Sequence, residues 1–457
     1  MGQLESARDV ALDILIATEE RGAYINLLLN DRLKKSSLND TRDRGLVTEL
    51  VYGTTQRRNT LDWILNALVK KGVHSLEMWV RQLLRMGLYQ LRYLDRIPSR
   101  AAVHETVNQA KNRGHKGISG LVNGVMRGYL RRRSEWNLPD LPQDIGQLAL
   151  LYSHPEWMVR RWVESYGRET ATAILTANNE PPAITLRTNP LKTDRQALIH
   201  YLQEAYPEAK IAPSEIATQG IVFQGGGNPA LHARYQEGWY SIQDESSMLV
   251  AEVVGPAPGQ RGLDGCAAPG GKTTHLAEQM GNEGELLSCD IHGHKVALIR
   301  ANVNRLGLTM VKTRQEDLRT LPEKVDGLFD FVLLDAPCSG LGVIRRKPDI
   351  KWSKEATEIE DLVGLQAELL DAAASLVAPE GVLVYSTCTI EPRENEEQVA
   401  AFLARNDTFQ LDERIEEKLL PKVKSKALLR EGSIQILPHH FRSDGFFISR
   451  MVKRAET

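Results

Sequence analysis

Short apolar runs recur along the second half of the chain, at Gly262–Cys266, Glu285–Asp290, Thr309–Arg314, Phe329–Asp335 and Gly381–Ser386, with helical stretches between them. Gly445–Lys453 adds a further run. A strand that is apolar along its whole length is covered on both faces, and strands that alternate with helices join in parallel. The pattern therefore predicts a doubly wound, mostly parallel sheet of about six or seven strands with helices on both faces. Ligands of such sheets bind outside the carboxyl ends of the strands. The polar residues that close these runs are thus the first place to look for chemistry.

The chain has 457 residues, enough for about two to four domains. Residues 3–134 read as helix after helix, with apolar residues at helical spacing in Val10–Leu15, Ile25–Leu29, Leu46–Val51 and Leu76–Leu94. This predicts an all-α bundle over 1–140. Asn39-Asp40 and Pro98-Ser99 read as helix starts, and the Arg- and Pro-rich stretch 131–151 as a linker. Residues 150–236 mix helical stretches (155–166, 195–206) with strand-like ones (183–187, 220–223), which predicts a small α+β module. The α/β domain occupies 237–457.

Net charge is −2, but it is unevenly spread. Arg81–Arg133 holds twelve Lys and Arg against Asp95 and Glu105, a surplus of ten, which points to a polyanion partner. Arg345, Arg346 and Lys347 are further candidates to grip a phosphate backbone. No apolar run approaches the ~18 residues that span a bilayer, and the N-terminus lacks a signal-peptide pattern. Gly2 and Ser6 fit only the loose myristoylation pattern. The four cysteines lie far apart without zinc spacing, as in a cytoplasmic protein with reduced thiols. No surplus apolar repeat asks for a partner subunit, so a monomer is expected.

Leu263–His275, LDGCAAPGGKTTH, follows a strand and opens a helix. Small residues there let backbone approach a ligand closely. A dinucleotide fingerprint is absent. A P-loop needs four residues between its glycines, whereas Gly265 and Gly271 enclose five, among them Pro269. Without a ligand, the stretch is a tight turn capping a helix. Asp290 closes the next strand, where a carboxylate can accept both hydroxyls of a ribose. Asp317, past the third strand, is placed either to cap a helix or to meet an adenine edge.

Phe331–Gly342 (FVLLDAPCSGLG) and Leu383–Glu396 (LVYSTCTIEPRENE) each begin as a buried strand and end in a polar turn with a cysteine. If these strands are neighbours, Cys338, Cys388 and Asp335 face one crevice. A lone cysteine is usually a small core residue, which is the reading for Cys289. A pair at strand ends suits covalent catalysis on a base whose carbon 5 is a poor nucleophile. A thiolate adding at carbon 6 makes carbon 5 an enamine-like nucleophile, and a second group then removes the carbon-5 proton or assists release.

These motifs resemble those of the Sun/NOL/NOP family of RNA 5-methylcytosine methyltransferases. The resemblance rests on Asp244–Ser247, Asp264–Thr273, Asp335–Gly340, Lys347–Trp352 and Ser386–Cys388, within 237–453. The helical N-terminal part resembles the NusB-like domain that precedes this catalytic domain in bacterial members acting on small-subunit ribosomal RNA. The resemblance implies a Rossmann-like, S-adenosylmethionine-dependent methyltransferase domain and a cytidine of 16S ribosomal RNA as substrate. It implies Cys388 as nucleophile and Cys338 in product release. It also implies Cys266, Ala267, Ala268, Pro269, Gly270, Gly271 and Lys272, with Asp290, Asp317 and Asp335, as cofactor contacts, with Asp335 also facing the cytosine. The target base is expected to be unpaired or extruded. Two other readings compete. A non-catalytic RNA-binding assembly factor has no use for Cys338 and Cys388, and a nucleotide hydrolase is disfavoured by the five-residue spacing.

Overall fold

The computed structural model describes residues 5–22, 24–38, 40–139 and 141–455. Gly2 and Asn39 lie outside them. The chain divides into two compact units, Met1–Glu180 with Ile344–Lys354, and Pro181–Val343 with Glu355–Thr457.

The first unit is helical. Its helices are Ala7–Arg21, Ile25–Lys35, Thr41–Gln56, Arg58–Leu68, Met78–Tyr93, Ser99–Arg113, Lys116–Arg131, Ile145–Leu151 and Glu156–Asn178. Asp40 caps the third by accepting the Arg42 N–H at 2.8 Å. The predicted apolar stripes form one core containing Val10, Leu50, Leu61, Leu83, Leu88 and Val125. The expected linker differs from the reading. Trp136 is buried and packs edge-on against Trp63 at 5.8 Å, so this stretch is held to the core by an aromatic anchor.

Residues 344–354 belong to this unit although they follow the Cys338 turn in sequence. Lys351 is fully buried, and its ammonium donates to the carbonyls of Gln56 and Ser153 and to Oδ1 of Asn179 at 3.2, 3.1 and 2.9 Å. Burial, then the Arg57 charge, pushes its pKa well down. Trp352 Nε1 donates to the Thr55 carbonyl at 2.8 Å. Arg345, expected to grip phosphate, is instead buried and donates to the Ala177 carbonyl at 2.9 Å.

The second unit holds two sheets. In the smaller, β1 (Ile184–Thr188), β2 (Lys210–Pro213), β3 (Gly220–Gln224) and β4 (Tyr240–Ile242) pair antiparallel in the order β2-β3-β1-β4. Leu198, Ile199 and Leu202 of the helix Arg195–Ala205 pack with Leu186, Ile221 and Phe223 of this sheet.

The larger sheet has nine strands: β5 (Arg261–Asp264), β6 (Glu285–Asp290), β7 (Val311–Gln315), β8 (Phe329–Asp335), β9 (Val377–Thr387), β10 (Phe409–Leu411), β11 (Leu428–Arg430), β12 (Ser433–Ile436) and β13 (Phe446–Lys453). The order is β11-β12-β13-β9-β8-β5-β6-β7, with β10 on β13. β5 to β9 are mutually parallel, as the apolar runs predict, and β13 joins β9 antiparallel. The additional strands β10, β11 and β12 are three or four residues long, too short to carry a readable alternation. Apolar side chains fill both faces. Phe331, Leu333 and Val384 enter one core, and Val332, Leu334, Leu383 and Tyr385 the other. Chain order reverses between β5 and β8, which makes their carboxyl ends the switch point where ligands bind.

Arg187 of β1 ties the small sheet to the large one. Its guanidinium is fully buried and donates to both Glu278 oxygens at 3.0 and 2.9 Å, to Thr274 Oγ1 at 2.9 Å and to the Gly271 carbonyl at 2.7 Å. Removing one partner of such a pair strands the other charge in a dry site. Glu278→Leu is expected to cost about 3–5 kcal/mol in urea denaturation, and Arg187→Met with Glu278→Leu much less.

Candidate active site

The carboxyl ends of β5, β6, β8 and β9 carry Asp264, Asp290, Asp335 and Thr387. β5 runs into the turn Gly265–Gly270 and then the helix Gly271–Gln279. Backbone bonds fix the turn: Gly265 N–H donates to Leu333 O at 2.9 Å, Ala267 N–H to Cys289 O at 2.9 Å, and Gly270 N–H to Ala267 O at 2.7 Å. Gly270 has φ +97°, and a Cβ there would lie 3.0 Å from Ile299 Cα, so the position needs glycine. Cys266, Ala268 and Lys272 are half-buried and Pro269 is exposed, while Ala267 and Gly270 face inward. Burial, then the surrounding carboxylates, pushes the Cys266 thiol strongly up, which makes it unreactive.

Lys272 and Asp335 meet across the crevice, Nζ to Oδ2 at 2.7 Å, and the other oxygen of Asp335 accepts from Ser386 Oγ at 2.8 Å. Burial opposes the ammonium charge, but Asp335 outweighs it, with help from Cys388, and holds the Lys272 pKa above its ordinary value. Cys338 and Cys388 lie together, Sγ to Sγ 3.4 Å, both half-buried. The contact with Cys388, then burial, pushes the Cys338 thiol well up. The parallel pairing of β8 with β9, Asp335 opposite Ser386, makes this meeting possible. Gly342 N–H donates to Cys388 O at 3.0 Å, and a Cβ on Gly342 would lie 2.0 Å from Gly445 O. A glycine is the residue that fits there.

Asp290 is buried and accepts the His292 N–H at 3.0 Å. Asp317 caps the turn Leu318–Glu323 and pairs with Arg319 at 2.7 Å, and these bonds hold its carboxyl below the usual range. The structure thus supplies Asp317 with the capping role weighed from sequence. Cys289 is fully buried in the core, as expected. Of the twelve Lys and Arg in Arg81–Arg133, Arg81, Arg85 and Arg113 are spent on ion pairs with Glu19, Asp62 and Asp13, and Arg132 pairs with Glu135 at the surface. Arg96, Arg100, Lys111, Lys116, Arg127 and Arg131–Arg133 are exposed.

Sequence reasoning passed over Asp264. It is fully buried; Oδ2 accepts from Thr273 Oγ1 at 2.6 Å, and Oδ1 has no partner among the described residues. The signal was present: Asp264 closes its strand as Asp290 does. An unsatisfied buried carboxylate oxygen beside an open glycine turn fits a cationic or hydroxyl-bearing ligand. Burial pushes Asp264 up to about 7, the Thr273 bond opposes this, and Asp335 adds to it. Between its ordinary value near 4 and that value, the folded protein holds a proton that the unfolded chain has lost. Its stability contribution therefore falls as pH rises from 4 to 7. Going from pH 5 to 7.5 is expected to cost the wild type about 2 kcal/mol more than Asp264→Asn, read by chemical denaturation at both pH values.

Family models match along the chain: the NusB family over residues 5–131, an RsmF/B-like ferredoxin-like domain over 154–228, and 16S rRNA methyltransferase RsmB/F over 251–452. A Bacillus subtilis protein named probable ribosomal RNA small subunit methyltransferase B is 44% identical over 98% of this chain and 99% of its own. Ribosomal RNA small subunit methyltransferase B of Escherichia coli O1:K1 is 34% identical over 99% of this chain and 100% of its own. The crystal structure of NSun6 from Pyrococcus horikoshii with SFG is 25% identical over 67% of this chain and all of its own, TM-score 0.60. A further crystal structure, 24% identical, covers 99% of this chain with TM-score 0.82 and shares the fold. The order expected from sequence holds: a NusB-like bundle, a small α+β module and a Rossmann-like methyltransferase domain. With these matches spanning nearly its full length, the chain belongs to the ribosomal RNA small subunit methyltransferase B family.

Proposed function

We propose that this protein methylates carbon 5 of an unpaired cytidine in small-subunit ribosomal RNA through a covalent adduct with Cys388. The observation that carries the reading is the 3.4 Å approach of the Cys338 and Cys388 sulfurs beside the Lys272–Asp335 pair at the switch point of the sheet. S-Adenosylmethionine, when bound, supplies an electrophilic methyl group. The turn Cys266–Lys272, with Asp290, Asp317 and Asp335, would hold it, and the unpartnered Oδ1 of Asp264 fits the same ligand. Asp335 is also read as the group that meets the polar edge of the cytosine.

Cys338 is held as a thiol by its neighbour and by burial, which leaves Cys388 to carry the thiolate that adds at carbon 6. The Lys272 ammonium favours that charge. Addition makes carbon 5 nucleophilic toward the methyl group. A base then removes the carbon-5 proton, the bond between carbon 6 and sulfur breaks, and Cys388 departs as thiolate. Cys338 assists this release.

We assign residues 1–140 to RNA binding, 150–236 to a supporting module and 237–457 to catalysis. The exposed cations of the helical unit suit ribosomal RNA phosphates. The protein is read as a cytoplasmic monomer; no helix among the described residues is long and apolar enough to cross a membrane.

Labelled S-adenosylmethionine and ribosomal RNA lacking the modification test the reading. Wild type is expected to form 5-methylcytosine and Cys388→Ala none, while Cys338→Ala accumulates a covalent protein–RNA adduct. Methylation by Cys388→Ala at the wild-type rate would overturn the assignment. Arg131, Arg132 and Arg133 changed together to Gln should flatten the dependence of log affinity on log salt by about 2, in a filter-binding titration.

A further inference from the structure

Both cysteines sit on turns, and turns are mobile unless something holds them. The residues that hold these two come from one dipeptide. Glu394 is fully buried below the Cys338 turn. Its carboxylate accepts the Ser339 N–H at 2.8 Å and the Ser339 hydroxyl at 2.5 Å. Gln366 donates to Glu394 at 3.3 Å and to the Pro337 carbonyl at 2.9 Å, so the residues on either side of Cys338 are both fixed.

Asn395, also fully buried, does the same for Cys388. Its Oδ1 accepts the Thr387 hydroxyl at 2.6 Å, and its Nδ2 donates to the Thr389 carbonyl at 3.1 Å. A second bond from Nδ2 to Gln435 Oε1, 2.8 Å, fixes the amide plane. One link joins the two turns directly, Ser339 Oγ to Thr389 Oγ1 at 2.8 Å. The backbone between the holders is itself tied, since Tyr385 OH of β9 donates to the Glu394 carbonyl at 2.7 Å.

We propose that Glu394 and Asn395 are positioning residues that set the distance between Cys338 and Cys388, Glu394 by holding Ser339 after the first cysteine and Asn395 by holding Thr387 and Thr389 on either side of the second. The proposal rests on the reading of these cysteines as the reacting groups. Each acts through the neighbours of a cysteine, Glu394 through Ser339 and Asn395 through Thr387 and Thr389. Adduct release needs the Cys338 thiol within reach of the Cys388 adduct, so a shift of about 1 Å in either turn slows turnover without weakening binding.

Two readouts on the full-length protein test this. The first needs no RNA: diamide takes two electrons and two protons from the thiol pair, and peptide mapping follows the Cys338–Cys388 disulfide. Glu394→Gln and Asn395→Asp are expected to form it about tenfold more slowly than wild type. The second is steady-state methylation, where kcat is expected to fall about 100-fold with KM for RNA and affinity for S-adenosylmethionine within about twofold. Should either variant melt early, Ser339→Ala and Thr387→Val remove single hydroxyls from the same network. Each is expected to slow both readouts about threefold. Wild-type rates of disulfide formation in all four variants, or a loss of RNA affinity that matches the loss of kcat, would overturn the proposal. If instead the wild type makes no 5-methylcytosine, the functional reading fails while the disulfide rates still judge the positioning.

Discussion

The parallel pairing of β8 with β5 on one side and β9 on the other is the constraint on which the site depends. That pairing places Asp264, Asp335 and Thr387 at neighbouring strand ends, and the turns that follow inherit their positions. It sets side by side the turns of Cys338 and Cys388, fifty residues apart, whose sulfurs lie 3.4 Å from each other. The hydrophobic side chains make the pairing firm. Phe331 and Leu333 enter one core while Val332 and Leu334 enter the other, so a slip of one residue would exchange the two faces. Chemistry on the rim is therefore secured by packing in the interior, and the polar groups of the rim need only adjust local direction.

Much of this was legible before the structure. β8 and β9 announced themselves because a strand covered on both faces must be apolar throughout, whereas β7 at the sheet edge carries Lys312, Arg314 and Gln315. Their ends could be read because a charged or thiol-bearing residue directly after such a run has few places to go. The bundle was legible from helical spacing. Other features were not. β10, β11 and β12 are too short for a period to show. Trp136 lay in a stretch rich in Arg and Pro, which hid a core anchor inside an apparent linker. Arg345 looked like a phosphate ligand because charge is visible in sequence and burial is not.

The holders of the site were the least legible. Glu394 and Asn395 appeared in a quoted motif but carried no distinctive chemistry of their own, since Glu and Asn are common on surfaces. Only burial and the identity of their partners separate them from a solvated turn. Arg187 is a similar case: a strand arginine in a small module gave no hint that its guanidinium would support the Gly271 carbonyl of the glycine turn. Charge counts needed a correction of the same kind. Arg81, Arg85 and Arg113 are engaged in ion pairs within the bundle, so the charge left for a polyanion is smaller than the tally.

The helical unit is discontinuous in sequence, because residues 344–354 complete it and Lys351 is buried against Gln56, Ser153 and Asn179. Protein synthesis is vectorial, and a ribosome makes about 5–20 residues each second, so this last piece emerges roughly 10–35 s after residue 180. During that interval the carbonyls of Gln56 and Ser153 await their ammonium, and the bundle stands unfinished while most of the sheet is still being made. The two units cannot then mature as independent beads on a string. Recombination is constrained in the same way: exchanging the bundle for another requires three breakpoints, one near residue 180 and a pair flanking 344–354, to change together. An arrangement of this kind keeps the helical unit and the sheet-bearing unit inherited as one piece.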